Sequence, residues 1–351
     1  MKKKLSLIIM LSMMVTALGV TACGNVPQNN KSEKIETNMQ STEKNDAESL
    51  FQLGLKYCEG DGVPQDYNKG VELFQKAANQ GNTKALYNLG VCYREGNGVP
   101  QNYNKSIECF QKAAEQGLAV AQFNLGVCYY DGEGVPQDIG RAVGLFEKAA
   151  NQGNVDAQCN LGACYANGNG VPQNVNKAVE WYEKAANQGN VRAQCNLGIC
   201  YFEGYGGYEN RKNLKKAIEW LGKAANQGDA QAQYCLGNCY KLYDELPQHF
   251  EKAVEWYQKA ANQGYIYAIT ELGHCYAYGW GVTINYEKAV EWYQKAASQG
   301  SVEAQRSLAH CYMDGHGVLP NNKKAQEWLR KAANQGDELA QKDLELFFPQ
   351  N

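Results

Sequence analysis

Proline is scarce in this chain, with eight in 351 residues. Collagen-like and polyproline structures are excluded at once, because both need far more of it. Histidine is scarcer still, at four, so a histidine-rich metal centre has little to draw on. Excess positive charge is absent too. The formal net charge is -3, and setting aside the three lysines of the opening segment leaves -6. Nothing here makes nucleic acid a default partner. Catalytic signatures are also missing: there is no Gly-x-Ser-x-Gly, no His-Glu-x-x-His and no phosphate loop. Gly-x-Gly tracts recur, but each leaves one helical pattern and enters another, without the strand a dinucleotide fold requires. The chain therefore reads as a non-enzyme with no cofactor.

What the chain does have begins with Lys2, Lys3 and Lys4, followed by an apolar run from Leu5 to about Val20. That run is short for a membrane span and reads as an export signal, residues 1–22. It ends Val20-Thr21-Ala22-Cys23-Gly24, which resembles the lipobox of bacterial lipoproteins. The resemblance implies cleavage before Cys23, diacylation of its thiol and stable anchoring, with the rest of the chain outside the cytoplasm. Residues 23–46 are rich in Asn, Gln, Ser, Thr, Lys and Glu, and too polar to build a core. They are expected to form a lipidated, disordered tether.

From residue 47 the chain repeats itself. Leu-Gly recurs from Leu53-Gly54 to Leu272-Gly273 in steps of 36 residues, one of them 39, and the eighth copy reads Leu308-Ala309. A Tyr follows each Leu anchor by four residues, from Tyr57 to Tyr312, and Ala-Ala-x-Gln-Gly returns from Ala77 to Ala332 at the same spacing. Each unit predicts two helices. Ala157, Leu161 and Tyr165, four apart, make one apolar stripe. Gly162 beside them admits a close neighbour. Gly168-Asn169-Gly170 ends the first helix, and Val171-Pro172-Gln173 continues extended. Asn176 is expected to cap the second helix, which carries Ala178, Trp181, Tyr182 and Ala185 inward and stops at Gly189. One such hairpin cannot bury both faces, but a stack can. The fold expected is all-α, a solenoid of eight helix-turn-helix repeats plus a capping helix over residues 47–347, with a tail at 348–351.

The blocks Ala-x-x-x-Leu-Gly-x-x-Tyr, Gly-x-Gly-Val and Lys-Ala-Ala-x-Gln-Gly resemble the Sel-one-like repeat (SLR) family, a relative of the tetratricopeptide repeat. The resemblance implies a right-handed α/α superhelix acting as a protein-interaction scaffold. Two repeats depart from it. The fifth has three extra residues around Gly204–Tyr208, and the sixth replaces Gly-x-Gly-Val with Lys241–Pro247.

The thirteen cysteines suggest disulfides in an exported protein. Their phase suggests otherwise. Seven, from Cys92 to Cys311, stand three residues after the Leu anchor and border the buried stripe as small apolar residues do. Cysteine-rich members of the family bridge their helices through a cysteine in the Lys-Ala-Ala block, and here that block has none. Free buried thiols are expected, with Cys58, Cys109 and Cys235 the ones outside the pattern that could bridge. His274-Cys275 and His310-Cys311 sit in matching places, but neighbours on a helix diverge by about 100°, so no metal site is expected.

A partner would meet the first helices. Asn88, Asn124, Asn160 and Asn196 each precede the anchor Leu, and an amide ladder can hold a peptide backbone or, equally, join neighbouring repeats. Gln122, Gln158 and Gln194, with Gln233 and Gln305, could extend that polar lining. Trp280 lies in a loop outside the repeat phase and is a candidate anchor. The expectation is a non-enzymatic interaction scaffold at a bacterial cell envelope, its partner an unknown envelope protein or peptide, touching the membrane through its lipid only. The alternatives are a binder of cell-wall glycan or peptide and, less favoured, a hydrolase related to relatives described as β-lactamases.

Overall fold

The computed structural model describes residues 46–205, 213–242 and 247–349. The export signal, Cys23, nearly all of the tether, most of the fifth-repeat insertion, the middle of the sixth-repeat loop and the last two residues lie outside that range. Among the described residues there are seventeen helices and no strand. The chain divides between Gln188 and Gly189 into two compact units.

The first unit holds four hairpins: α1 (Ala47–Glu59) with α2 (Tyr67–Asn79), α3 (Thr83–Glu95) with α4 (Tyr103–Glu115), α5 (Ala119–Asp131) with α6 (Ile139–Asn151), and α7 (Val155–Asn167) with α8 (Val175–Asn187). The second unit holds α9 (Val191–Glu203) with α10 (Leu214–Asn226), α11 (Ala230–Leu242) with α12 (Pro247–Asn262), α13 (Ile266–Tyr278) with α14 (Tyr286–Ser298), and α15 (Val302–Asp314) with α16 (Asn322–Asn334). A last helix, α17 (Glu338–Phe347), packs on α16 and buries Ala340. Within each unit every helix packs on the one before and the one after it, which is solenoid stacking.

The local chemistry repeats with the sequence. Outside the sixth repeat, first helices end on a left-handed glycine, as at Gly168 with φ 74°. In the same seven repeats, second helices open on an Asp or Asn. Here the structure corrects the expected cap: α8 starts at Val175, and it is Asn174 whose side chain accepts from the Lys177 amide, at 3.0 Å. An N-cap oxygen reaches the amide three residues on, and Asn176 already stands inside the helix.

Packing turns on the Leu-Gly pair. A Cβ placed on Gly162 would stand 2.8 Å from Cδ1 and Cε1 of Tyr182, a ring that is fully buried. In six repeats the glycine seats an aromatic ring of the partner helix; in the fifth, Gly198 seats Leu221 instead. In the eighth, Ala309 stands at the glycine's place, and Leu329 at that of the ring, both buried. Of the paired aromatics, Tyr182 and Tyr257 are core, while Trp181 and Trp256 are half-buried with a lysine over each face. The seven cysteines three residues after the Leu anchors are all buried, and the twelve described cysteines are free thiols.

Candidate functional site

The first helices carry two polar rows one above the other. The lower row is the glutamines three residues before the Leu. Gln158 on α7 is 5 % exposed. Its Nε2 donates to the Ala150 carbonyl of α6 at 3.2 Å, and its Oε1 accepts from Gln188 Nε2 at 2.8 Å. Gln122 does the same with Ala114 and Gln152. In the second unit Gln233 and Gln305 repeat the pattern, and Gln194 accepts from Gln227 at 2.8 Å. Gln122, Gln158, Gln233 and Gln305 thus each join three consecutive elements. The structure places these side chains between repeats, where a buried amide satisfies both its donor and its acceptor internally.

The upper row is the residue just before the Leu. Asn124 is 2 % exposed. Its Nδ2 donates to the Val120 carbonyl one turn back, at 2.9 Å, and to the Tyr87 hydroxyl, at 3.3 Å. Its Oδ1 accepts from Arg94 Nη1 of the preceding first helix, at 3.2 Å. Asn160 and Asn196 are buried as well, and Asn88 is half-buried. The asparagines recur in register, but Asn124, Asn160 and Asn196 are buried rather than open to a partner.

In the second unit the row opens with Asn196 and then changes character. Its further members are Cys235, Glu271, Ser307 and Asp343. Lys241 occupies the place of Arg94 and donates to Glu271 Oε2 at 2.9 Å. His274 Nδ1 lies 3.9 Å from the same oxygen, and its Nε2 faces Ser307 Oγ at 3.5 Å. One repeat on, His310 Nε2 meets Asp343 Oδ2 at 2.8 Å. Burial alone would push the Glu271 carboxyl up; His274 and the Lys241 charge outweigh it and hold the pKa at about 2. The carboxylate is therefore kept ionised beside two nitrogen groups.

Trp280 closes this cluster. It is half-buried rather than free in solvent: Lys241 Nζ stands 4.3 Å from its ring centroid, and the Tyr278 ring lies 5.0 Å away. Tyr278 is the exposed member, at 61 %, and its ring is 6.1 Å from that of His274. A charged pair, an imidazole and two aromatics thus share one stretch of α11, α13 and the loop after it. Sequence reasoning found Trp280 and the asparagines but missed Lys241, Glu271 and His274 as one group. The signal was present in the register, since Lys241 follows Arg94 and Glu271 follows Asn124 in repeat phase. Among the described residues, no three His, Cys, Asp or Glu side chains converge on a metal position, and no helix is long and apolar enough to cross a membrane.

Comparison with known proteins places the repeats. The family profile described as Sel1 repeat matches eight successive segments: 47–82, 83–118, 119–154, 155–190, 191–229, 230–265, 266–301 and 302–337. Among solved structures, the chain is similar to a protective antigen of uropathogenic Escherichia coli strains displaying an SLR fold, with 37 % identity and a TM-score of 0.76. That match covers 87 % of this chain and 65 % of the antigen, so the chain spans just under two thirds of its length. It is also similar to a Sel1 repeat protein from Oxalobacter formigenes, with 31 % identity, 87 % of both chains covered and a TM-score of 0.64. No curated protein matches the chain significantly.

Proposed function

The chain belongs to the Sel1 repeat family, and from that membership we propose that it is a protein-interaction scaffold without catalytic activity, held at a bacterial cell envelope by a lipid on Cys23. The observation that carries the reading lies within the second unit, where the ionised Lys241–Glu271 pair stands beside the exposed Tyr278 and the half-buried Trp280. A repeat array keeps its backbone while the side chains along it change, so one stretch can be fitted to a partner. Aromatic side chains beside partly desolvated charges are the usual energetic anchors of such surfaces. The envelope reading rests on the Lys2–Lys4 start, the apolar run and the Ala22-Cys23 junction.

Affinity capture from native envelopes with the full chain tests the scaffold. Tyr278→Ala/Trp280→Ala should lose the partner while circular dichroism stays helical. A partner retained at full occupancy by the folded double variant removes this surface from the proposal. Incorporation of labelled fatty acid, lost in Cys23→Ala, tests the anchor. A second reading, binding of cell-wall glycan, is favoured by one feature: the Tyr278 and Trp280 rings lie 5.0 Å apart at a partly exposed edge, as sugar-stacking aromatics do. Cosedimentation with purified peptidoglycan, abolished by the same double variant, would replace the protein partner with a polysaccharide.

A further inference from the structure

Between the second helices α4 and α6 lies a cleft of about 340 Å³. That volume is at the lower end of the range for small-molecule sites, about 300–1,000 Å³. Gln111 and Glu115 of α4 form one wall, and Arg141, Gly144 and Lys148 of α6 form the other. Leu125 of α5 and Leu145 add apolar surface. Three of these residues break the repeat. At the place of Arg141 the other seven repeats all carry lysine, as at Lys105 and Lys177. At the place of Gly144 all seven carry glutamate, as at Glu108, Glu180 and Glu219. At the place of Glu115 six carry asparagine and one carries serine. Changes left by drift have no reason to gather in one cleft, and these three line the same one.

Gly144 alters the charge most. In the fifth repeat Lys223, the counterpart of Lys148, pairs with Glu219 at 3.1 Å and stands 3.7 Å from the Trp220 ring centroid. In the third repeat both of those partners are missing, because Gly144 has no carboxylate and Leu145 no ring. Packing does not require the glycine: a Cβ there would meet nothing within 4 Å. Helix stability does not favour it either, since glycine weakens a helix interior relative to alanine. Arg141 is held in place, its guanidinium 4.3 Å from the Tyr129 ring centroid. Arginine offers a carboxylate a planar two-donor fork, which the lysines of the other repeats lack. On the facing wall Gln111 Nε2 donates to Glu115 Oε1 at 3.1 Å and steadies that carboxylate.

We infer that this cleft binds a small zwitterion, an amino acid or short peptide with a free ammonium, a free carboxylate and an apolar side chain. The walls carry opposite charge, so each end of the ligand has its own partner. The ligand carboxylate meets Arg141 and Lys148, its ammonium meets Glu115, and its side chain covers Leu125 and Leu145. The apolar lining supplies affinity and the two charged walls supply orientation. The site lies in the first unit and uses neither Tyr278 nor Trp280, so it does not depend on the scaffold surface.

The full chain is titrated calorimetrically with leucine and with leucyl-leucine, which separates a free amino acid from a peptide as the source. One of the two should bind with a Kd below about 1 mM. Its N-acetylated form lacks the ammonium and its amidated form lacks the carboxylate. Each should bind at least about tenfold more weakly. Gly144→Glu and Glu115→Asn restore residues that other repeats carry at those places, so both variants should fold, as circular dichroism would confirm. Each should weaken binding by about tenfold, Gly144→Glu by pairing Lys148 as Glu219 pairs Lys223. Tyr278→Ala/Trp280→Ala should bind as the wild type does. The proposal is overturned if neither ligand binds, or if the blocked forms bind as tightly as the free one. It is overturned equally if the folded Gly144→Glu and Glu115→Asn variants keep wild-type affinity.

Discussion

At the scale of one residue, Gly162 is the position where a single carbon matters most. Its absent Cβ would meet the buried Tyr182 ring at 2.8 Å and the Ala178 carbonyl at 3.3 Å. Alanine would favour the helix by about 1 kcal/mol, while overpacking a fixed ring costs about 1–3 kcal/mol. Overpacking wins, so Gly162→Ala should destabilise by about 1–2 kcal/mol in chemical denaturation. If the single variant is as stable as wild type, ring and glycine are not in register. Glu271 makes the complementary electrostatic case. Its pKa is held at about 2, below its ordinary value of 4.5. A carboxylate with a depressed folded pKa contributes stability above its unfolded pKa and loses it as pH falls through the folded one. Glu271→Gln should therefore be less stable at pH 7 by on the order of 2–3 kcal/mol. The gap should close as pH falls from about 5 to about 2, followed by urea denaturation at each pH. A constant gap would mean that Glu271 acts through packing alone.

At the scale of the element, the glutamine row decides how hairpins dock. Gln158 is buried, and it links the Ala150 carbonyl to the Gln188 side chain. Gln158→Ala leaves the Gln188 amide without that acceptor, but the Ala150 carbonyl keeps the Gly153 N–H at 3.0 Å. The loss should thus sit near the middle of the usual range for a buried polar deletion, about 1–2 kcal/mol. Amide exchange would show it as faster opening of α7 and the helices flanking it, with α1 and α2 unaffected. Uniform loosening would argue that the row does not act locally. Much of this was legible in the sequence. The stripe of Ala157, Leu161 and Tyr165 and the glycine stops at Gly168 and Gly170 are read directly from spacing and residue type. The cap was misread because Asn174 and Asn176 lie two apart and both are good capping residues; counting 36 back to Asp138 would have separated them. The glutamines were legible as a row but not as a link, because their partners lie on neighbouring helices and only the packed geometry brings them together. Lys241, Glu271 and His274 were hidden for a different reason. Their register was kept while their residue types changed, and a search for recurring letters passes over them.

At the scale of the molecule, the stack is a sum of like interfaces rather than one closed core. Each glutamine link spans one repeat boundary, and each Leu-Gly seat lies within one repeat. The third repeat docks as the fourth does: Gln122 meets Ala114 as Gln158 meets Ala150, both at 3.2 Å. Removing residues 119–154 as a block would bring Val155 directly after Leu118, and Gln158 would face the Ala114 carbonyl that Gln122 now uses. The shortened chain should therefore stay helical and monodisperse, with a fractional helix content in circular dichroism unchanged from the parent. Its stability should fall by roughly one repeat-plus-interface share rather than collapse, as expected for a nearest-neighbour array. Removing residues 119–136 instead cuts between α5 and α6. It strands α6 without its glycine seat at Gly126 and should yield an aggregated or partly unfolded product. If both deletions behave alike, folded or unfolded, the 36-residue unit is not the cooperative unit of this chain. If only the whole-repeat deletion folds, the repeat that organises the sequence also organises its stability. A scaffold built this way can then gain or lose binding surface one hairpin at a time.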